Sequence, residues 1–229
     1  LRAMQQPWPP PFVALADDNT FVVQKRSYEL AEVLGHAGVH WVTETDISMA
    51  EDPHLLSLLQ QAGCREVLIG LESVNADALD GLETKRNWKY DQLSRYRDAV
   101  LTIQGHGIAV NTCFVLGLDG DGPEVFDAVA EFVDETNPFD VQITVLTPFP
   151  GTPLYDRLLD AGRILHPGAW EMCTLFDVNY VPLGMTVSDL EAGLVGLGTH
   201  IYSQECLDRR RAGFRMQVAR GRASQEAGT

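Results

Sequence analysis

The chain has 229 residues, of which 45% are hydrophobic, and this suffices for one large α/β domain or for one domain with a smaller extension. Its 17 basic and 32 acidic residues leave a formal charge of -15. Such a balance excludes nucleic acid as an expected partner, because phosphate binding needs a positive surface. No apolar stretch is long enough to cross a membrane, so no span is expected either.

Strand-like runs alternate with helical patterns at a spacing of roughly thirty residues, which is typical of βαβ units. Periodicity alone does not separate a doubly wound sheet from a β/α barrel. The predicted strands are 12–15, 39–42, 67–71, 108–116 and 141–146, and the predicted helices between them are 25–35, 52–62, 89–106 and 123–136.

The joints between these elements carry suitable capping chemistry. Asp52 is a candidate N-cap with Pro53 in the first turn, and Gly63 stands where a helix C′ glycine belongs. Thr152 and Pro153 repeat the N-cap and first-turn pattern after the proline-rich stretch 147–153. That stretch predicts a stiff connector at the carboxyl end of a strand, which would make a good wall for a ligand.

The most informative stretch is the apolar run 67–71, which ends in Glu72 and Ser73. Continuous apolar strands are typical of parallel sheets that are buried on both faces. In such folds ligands bind beyond the carboxyl ends of the strands, so a polar pair placed there indicates a binding site or, equally, a helix cap or turn.

The C-terminal part is less regular. A helix is predicted to open at Thr186 and to run to about Cys206. The arginine-rich stretch 209–222 predicts a solvated helix or an interface, and 225–229 predicts a frayed end. His36 and His106, both near helix ends, are expected to be surface or capping residues.

Four segments together resemble the radical S-adenosylmethionine (radical SAM) superfamily, in particular the branch whose members often carry a cobalamin-binding domain ahead of the barrel. Each segment is moderately specific, and their order and spacing agree over residues 12–165. The segments are Ala-Asp-Asp-Asn-Thr-Phe at 16–21, Gly-Leu-Glu-Ser at 70–73, Val-Leu-Gly-Leu-Asp-Gly-Asp at 115–121, and Thr-Pro-Phe-Pro-Gly-Thr-Pro-Leu at 147–154.

The resemblance implies an α/β fold: a partial (β/α) barrel of the radical SAM type with a mainly helical C-terminal extension. Residues 1–165 would form the partial barrel, without the family's first strand and cluster loop. Residues 166–229 would form the extension. The start at Leu1, before a proline-rich approach to a strand, is interpreted as a cut inside a longer protein.

The resemblance also implies which residues hold S-adenosylmethionine. Asp17 and Asp18 would meet its amino group, and Glu72 and Ser73 its ribose and carboxylate end. The adenine would pack along the following two strands. The residues implied there are Asn111, Gly117, Leu118, Val145 and Leu146. Carboxylates suit ammonium and ribose hydroxyl groups, and glycine lets backbone approach a flat base.

One feature departs from the family. Its chemistry needs a C-x-x-x-C-x-x-C loop that holds a 4Fe-4S cluster, and the four cysteines of this chain, Cys64, Cys113, Cys173 and Cys206, do not form one. The ligands of the cluster are therefore expected in a missing upstream segment. The wide spacing of the four cysteines in this chain also excludes a disulfide framework or a zinc site, so a cytoplasmic location is expected. Cys64 and Cys113 are interpreted as buried, inert thiols.

Three functions remain open at this stage. The first is part of a radical SAM enzyme that abstracts hydrogen from a small-molecule substrate. With cobalamin from an absent N-terminal domain, the enzyme could instead transfer methyl groups or rearrange the substrate. This part alone would be inactive. The second is a degenerate barrel that serves as a binding or scaffold module. The third is a metal-free barrel enzyme using Glu44 and Asp46, for which a polar loop is the favoured reading. An open barrel edge at 12–15 predicts self-association.

Overall fold

The computed structural model of the protein describes residues 12–83 and 86–227. The proline-rich stretch before residue 12 and the last part of the predicted frayed end lie outside the described residues. Five strands form one sheet: β1 (Phe12–Ala14), β2 (His40–Thr45), β3 (Cys64–Glu72), β4 (Ala109–Leu116) and β5 (Asp140–Val145).

All neighbouring strands of the sheet are parallel, and their order along the sheet is the order along the chain. In a doubly wound sheet the order of the strands reverses at a switch point, and the order in this sheet does not reverse. The sequential order gives the half-barrel that the sequence predicted, so the expected fold class is confirmed. Each crossover carries a helix that covers the same face of the sheet.

The helices follow the predicted pattern with two breaks. The predicted helix 89–106 is divided into Trp88–Gln92, a 3-10 turn at Leu93–Arg95, and Tyr96–Gly105. The predicted helix after Thr186 does not run on to Cys206 but ends at Ile201, and a new helix begins at Gln204. The helices are α1 (Gln24–Ala37), α2 (Pro53–Gln61), α3 (Ala76–Leu79), α4 (Trp88–Gln92), α5 (Tyr96–Gly105), α6 (Val125–Thr136), α7 (Pro153–Asp160), α8 (Val187–Ile201) and α9 (Gln204–Ala227). Short 3-10 turns span Ile47–Glu51, Leu93–Arg95 and Trp170–Met172.

The predicted caps are present. Asp52 accepts from the Leu55 amide at the start of α2, and the Thr152 hydroxyl accepts from Tyr155 at the start of α7. Gly63 follows α2 with a φ of 93°, as a C′ glycine does. The imidazoles of His36 and His106 contact carbonyls of their own last helical turns, which confirms the capping interpretation.

The apolar core lies between the sheet and its helices. Successive residues of a strand point to opposite faces. Val67, Ile69 and Leu71 are fully buried on the helix side of β3. The residues that alternate with these three are only partly buried: Glu66, Leu68, Gly70 and Glu72. The same core continues into α8 through Leu190, Leu197 and Ile201. The sheet therefore has one covered face and one open face.

The segment after α7 covers the outer edge of β5. The Val145 amide donates to the Leu175 carbonyl at 2.8 Å, on the side away from β4. An antiparallel bridge between Ile164 and Tyr180 fixes the two ends of this segment. Because an unpaired edge invites pairing with another chain, this contact protects one end of the half-barrel. Self-association through the β1 edge stays a prediction, as does the domain division at residue 165.

The basic C-terminal stretch was predicted to be a solvated helix or an interface; it is helical, and part of it packs into the interior. Arg210 in α9 is completely buried, and its guanidinium donates to the carbonyls of Pro138, Phe139 and Ile201 at 3.2–3.3 Å. These carbonyls precede β5 and end α8, so the buried arginine fastens α9 beneath the sheet. No helix among the described residues has the length and apolar character needed to cross a membrane.

Candidate ligand-binding site

The open face of the sheet carries polar side chains in strand register. One row runs across the sheet from β2 to β5 and consists of Glu44, Leu68, Asn111 and Asp140, each paired with the next. One step further along, Gly70 pairs with Cys113 and Cys113 with Gln142. Because residues two apart on a strand share a face, these two rows lie on the same side of the sheet. The open face is thus rich in carboxylate and amide oxygens.

A cavity of about 370 Å³ lies on this face, at the carboxyl ends of β2, β3 and β4. Five carboxylates line it, and Lys89 is the one cation among its lining residues. Leu68, Gly70, Trp88 and Cys113 supply much of the remaining wall. The excess of negative charge favours a ligand with positive groups. The carboxylates are those of Asp18, Glu44, Asp46, Glu72 and Glu83.

The wall next to β1 is built by the residues after that strand. The Asn19 side chain donates to Asp46 at 2.6 Å and accepts from the Thr45 hydroxyl at 3.2 Å. The other Asp46 oxygen accepts from the Ser48 amide and so caps the 3-10 turn. Asp46 therefore has its oxygens engaged within the protein, whereas Asp18 is exposed and lines the cavity.

The wall next to β3 is formed at a bulge. The register shifts between Gly70 and Glu72, and Glu72 has a φ of 66°, a left-handed conformation that is uncommon for a residue with a side chain. The Lys89 ammonium donates to Glu72 Oε1 at 2.6 Å and to the Gly70 carbonyl at 2.8 Å. Backbone strain of this kind is concentrated at functional sites in proteins.

The floor of the open face contains a buried amide with an unused acceptor. Asn111 is 6% exposed, and its Oδ1 has no hydrogen-bond partner. The neighbouring Glu66 is half-buried, and burial raises the pKa of its carboxyl; Asp140 raises that pKa further, whereas a hydrogen bond from Asn111 opposes both. A buried acceptor without a partner is costly, and Asn111 is not among the residues that line the cavity.

Cys113 differs from its prediction. It is not a buried core thiol but lies partly exposed on the open face, where its sulfur donates to Gln142 at 3.5 Å. Burial, followed by the charges of Glu72, Glu44 and Asp140, raises the pKa of this thiol to about 12. A thiol with so high a pKa is a poor nucleophile and a poor metal ligand at neutral pH. Cys64 is buried at the start of β3, as expected.

The four cysteines do not offer the three thiolates that a 4Fe-4S cluster needs. All four are free and lie in different parts of the described structure. Within the described ranges, the one group of potential metal-binding side chains is formed by Asp134, His200 and Cys206. The Arg209 guanidinium donates to both Asp134 and Cys206, so a cation already occupies that position. The residues of this chain therefore do not fit the cluster.

The turn after β4 is closed on itself. The amides of Gly117 and Leu118 both donate to one oxygen of Asp121, at 3.1 and 3.0 Å. Burial raises the pKa of Asp121 to about 6 although these amides and Asn75 oppose the shift. The Gly117 carbonyl accepts from the Tyr180 hydroxyl at 2.7 Å. The ligand contacts predicted for Gly117 and Leu118 remain predictions.

The remaining predicted residues are spread around the strand ends. Ser73 is buried, and its hydroxyl accepts from the Asn75 amide at 3.0 Å. Asp17 is exposed and accepts from the Asn19 amide. The amides of Val145 and Leu146 donate to the carbonyls of Leu175 and Leu116. Of the nine predicted residues, the structure brings Asp18 and Glu72 into one cavity, with Asn111 on the same face below it.

Sequence reasoning missed Lys89 and misplaced Glu44. Lys89 belongs to a short helix seventeen residues after Glu72, and no spacing rule joins the two positions. Glu44 was interpreted as part of a polar loop, but it lies in β2 on the open face. The alternation of His40, Val42 and Glu44 with the buried Trp41, Thr43 and Thr45 could have shown this.

The fold and the cavity define a half-barrel of the (β/α) type with an acidic cavity at the carboxyl ends of its strands. No family model matches the chain. Among curated proteins it is similar to the bacteriochlorophyllide d C-12(1)-methyltransferase of Chlorobaculum tepidum, with 27% identity over 197 residues, 86% of this chain and 42% of that protein. It is also similar to the hopanoid C-2 methylase of Rhodopseudomonas palustris, with 31% identity over 164 residues, 67% of this chain and 30% of that protein.

Among solved structures, the radical S-adenosylmethionine methyltransferase TsrM from Kitasatospora setae superposes with a TM-score of 0.53 and 18% identity, over 85% of this chain and 36% of that one. The likeness to TsrM confirms the predicted fold, and the names of both curated relatives, a methyltransferase and a methylase, agree with the resemblance to the radical SAM superfamily that the sequence predicted. The chain spans less than half the length of the curated relatives that it matches.

Proposed function

We propose that this chain is the S-adenosylmethionine-binding half-barrel of a radical SAM methyltransferase that acts on a small-molecule substrate. The observation that carries the proposal is the acidic cavity at the strand ends, which Asp18 and Glu72 both line. The relatives support the reaction class, because the names of two of them are those of a methyltransferase and a methylase.

The charges of the cavity suit this ligand. S-adenosylmethionine carries a sulfonium and an ammonium group, both positive, and one carboxylate. The cavity offers several carboxylates and a single lysine, which is the complementary arrangement. When bound, the cofactor supplies its methyl and adenosyl groups to the reaction.

The roles of the residues follow from their chemistry. Asp18 would hold the ammonium group, since its carboxylate is exposed at the cavity wall. Glu72 would accept from the ribose hydroxyls, and Asn111 would give its unused Oδ1 to a donor lower on the open face. Leu68 and Trp88 give the wall apolar surface against which a flat base can pack.

The iron–sulfur cluster and cobalamin are parts of the proposal that this chain does not itself supply. The four cysteines do not fit a cluster, so cysteines elsewhere in the whole protein would have to hold it. Cobalamin is suggested by the TsrM structure, which is described with cobalamin and a 4Fe-4S cluster bound. A radical SAM enzyme with both groups could methylate carbon atoms that are not nucleophilic.

The test uses the complete gene product after anaerobic reconstitution with iron and sulfide. We expect it to show iron–sulfur absorption and to convert S-adenosylmethionine to 5′-deoxyadenosine or S-adenosylhomocysteine. Glu72→Gln should lower this conversion about tenfold or more at subsaturating cofactor, because a hydrogen bond to a charged group is lost. Glu29→Gln, in an exposed ion pair on α1, is the matched control and should change nothing.

A complete gene product without a C-x-x-x-C-x-x-C loop, without iron–sulfur absorption and without cofactor turnover would contradict the enzyme and support the scaffold module. An active enzyme in which Glu72→Gln behaves like Glu29→Gln would keep the reaction class but remove the cavity as the cofactor site.

A further inference from the structure

A lysine that the sequence did not single out joins α4 to the end of β3. The Lys89 ammonium lies 2.6 Å from Glu72 Oε1 and 2.8 Å from the Gly70 carbonyl oxygen. Its side chain is 20% exposed and that of Glu72 is 28% exposed. The pair is therefore sheltered from solvent, unlike the exposed ion pair of Lys25 and Glu29, which are 86% and 63% exposed.

The backbone of Lys89 is fixed as well. Its amide donates to Glu83 Oε2 at 2.8 Å, and its carbonyl accepts from the Tyr96 hydroxyl at 3.2 Å. The single proton of this hydroxyl is shared with the Leu71 carbonyl, whose oxygen also lies 3.2 Å away. Two neighbouring carbonyls at the bulge, those of Gly70 and Leu71, thus receive donors from the segment that carries Lys89. The lysine is held where it is rather than free to swing.

Gly70 makes room for this arrangement. A Cβ at residue 70 would lie 2.6 Å from Glu72 Oε1 and 3.4 Å from Lys89 Nζ. The glycine is needed for space and not for backbone freedom, since its φ is not positive. The left-handed turn at Glu72 folds the carboxylate back over Gly70, so that Lys89 meets it at the cavity wall.

We propose that Lys89 is a positioning residue for Glu72. It holds Oε1 and leaves Oε2 to accept from the ligand. It also neutralises one carboxylate in a cavity that is otherwise lined by like charges, including Glu83 and Glu44. This inference rests on the proposed function, because it gives Glu72 the ligand contact.

A double-mutant cycle tests whether Lys89 acts through Glu72. The affinity of the complete, reconstituted protein for S-adenosylmethionine is measured by equilibrium dialysis for Lys89→Met, Glu72→Gln and the double variant. We expect each single change to weaken binding about tenfold to hundredfold, and the double variant to bind no more weakly than Glu72→Gln alone. Lys25→Met is the matched control and should bind like the wild type.

Two further variants separate positioning from folding. Gly70→Ala keeps the Lys89 charge but pushes Glu72 Oε1 away, so it should weaken binding to the level of Glu72→Gln. Only the flexible end of a side chain has to move, so the thermal midpoint should stay near that of the wild type. Lys89→Arg keeps charge and donors and should restore part of the affinity that Lys89→Met loses.

The outcomes separate this inference from the proposed function. Additive losses in the cycle would mean that Lys89 contacts the ligand directly, and would overturn the positioning role alone. Loss of binding in Glu72→Gln without loss in Lys89→Met would do the same. Full binding by Glu72→Gln would overturn both proposals.

Discussion

Two polar clusters follow neighbouring strands of the sheet, and they use their hydrogen-bonding groups differently. After β3, Glu72 and Lys89 face a cavity together with the carboxylate of Asp18. After β4, the Asp121 carboxylate is consumed by the amides of Gly117 and Leu118. The first cluster lines an open cavity, whereas the carboxylate of the second is bonded to amides of its own turn. A polar motif at a strand end is thus compatible with either role.

The two clusters should respond oppositely to mutation. Changes in the closed turn should cost stability, and changes at the open cavity should cost ligand affinity with little effect on stability. The expected change in the free energy of unfolding decreases from Asp121 to Tyr180 and then to Glu72.

The largest effect is expected for Asp121→Ala. This change leaves two buried amides without an acceptor, and we expect a loss of about 2–4 kcal/mol. Urea unfolding of the complete protein, followed by circular dichroism, measures the loss. Glu124→Ala, an exposed carboxylate three residues further on, is the control. A loss below that of the control would mean that the carboxylate does not brace the turn.

The same carboxylate predicts a pH dependence of a defined sign. Burial raises the pKa of Asp121 from 3.8 to about 6, so the folded state binds the proton more readily than the unfolded state does. Its contribution to stability is therefore greatest below about pH 4 and falls as the pH rises to about 6, by about 2–3 kcal/mol. Unfolding of the wild type and of Asp121→Asn across this range measures the difference. A difference that stays constant with pH would contradict the buried charge.

A smaller effect is expected for Tyr180→Phe. The buried hydroxyl donates to the Gly117 carbonyl at 2.7 Å, and its removal should cost about 1 kcal/mol. Tyr202→Phe, which removes a partly exposed hydroxyl that donates to the Val141 carbonyl, provides a comparison and should cost less. Equal losses would indicate that the hydrogen bond from Tyr180 to Gly117 stabilises the protein no more than the hydrogen bond from Tyr202 to Val141 does.

The smallest effect on stability is expected at the cavity. Glu72→Gln keeps an acceptor for Lys89, and we expect the free energy of unfolding to change by less than about 1 kcal/mol. Urea unfolding beside Glu29→Gln measures this change. A loss as large as that of Asp121→Ala would make Glu72 a bracing residue and remove the contrast between the two clusters.

The sequence predicted the order of strands and helices because caps and apolar periods are local signals. Asp52, Gly63 and Thr152 all perform the capping roles that their residue types indicate. The choice of a half-barrel needed the family resemblance, since the alternation of elements fits two topologies. The relative placement of strands is a property of packing, and a single sequence does not display it.

The site was less accessible to sequence reasoning. Glu72 could be singled out because it ends an apolar strand, but its partner Lys89 comes from a separate helix. Arg210 lies in an arginine-rich stretch that indicated either a solvated helix or an interface, and its buried bonds to the carbonyls of Pro138 and Phe139 could not be located from the sequence. Such long-range pairings depend on the tertiary fold. The bonds from the Gly117 and Leu118 amides to Asp121 are local by contrast, since they join residues four and three positions apart, and sequence reasoning overlooked them.

The central claim is that the cavity between Asp18 and Glu72 holds S-adenosylmethionine. Isothermal titration of the cofactor into the complete, reconstituted protein tests it directly, with Glu72→Gln beside its matched control Glu29→Gln. Binding that is about tenfold to hundredfold weaker in Glu72→Gln and unchanged in Glu29→Gln is the predicted result. Equal affinity for both variants would contradict the claim.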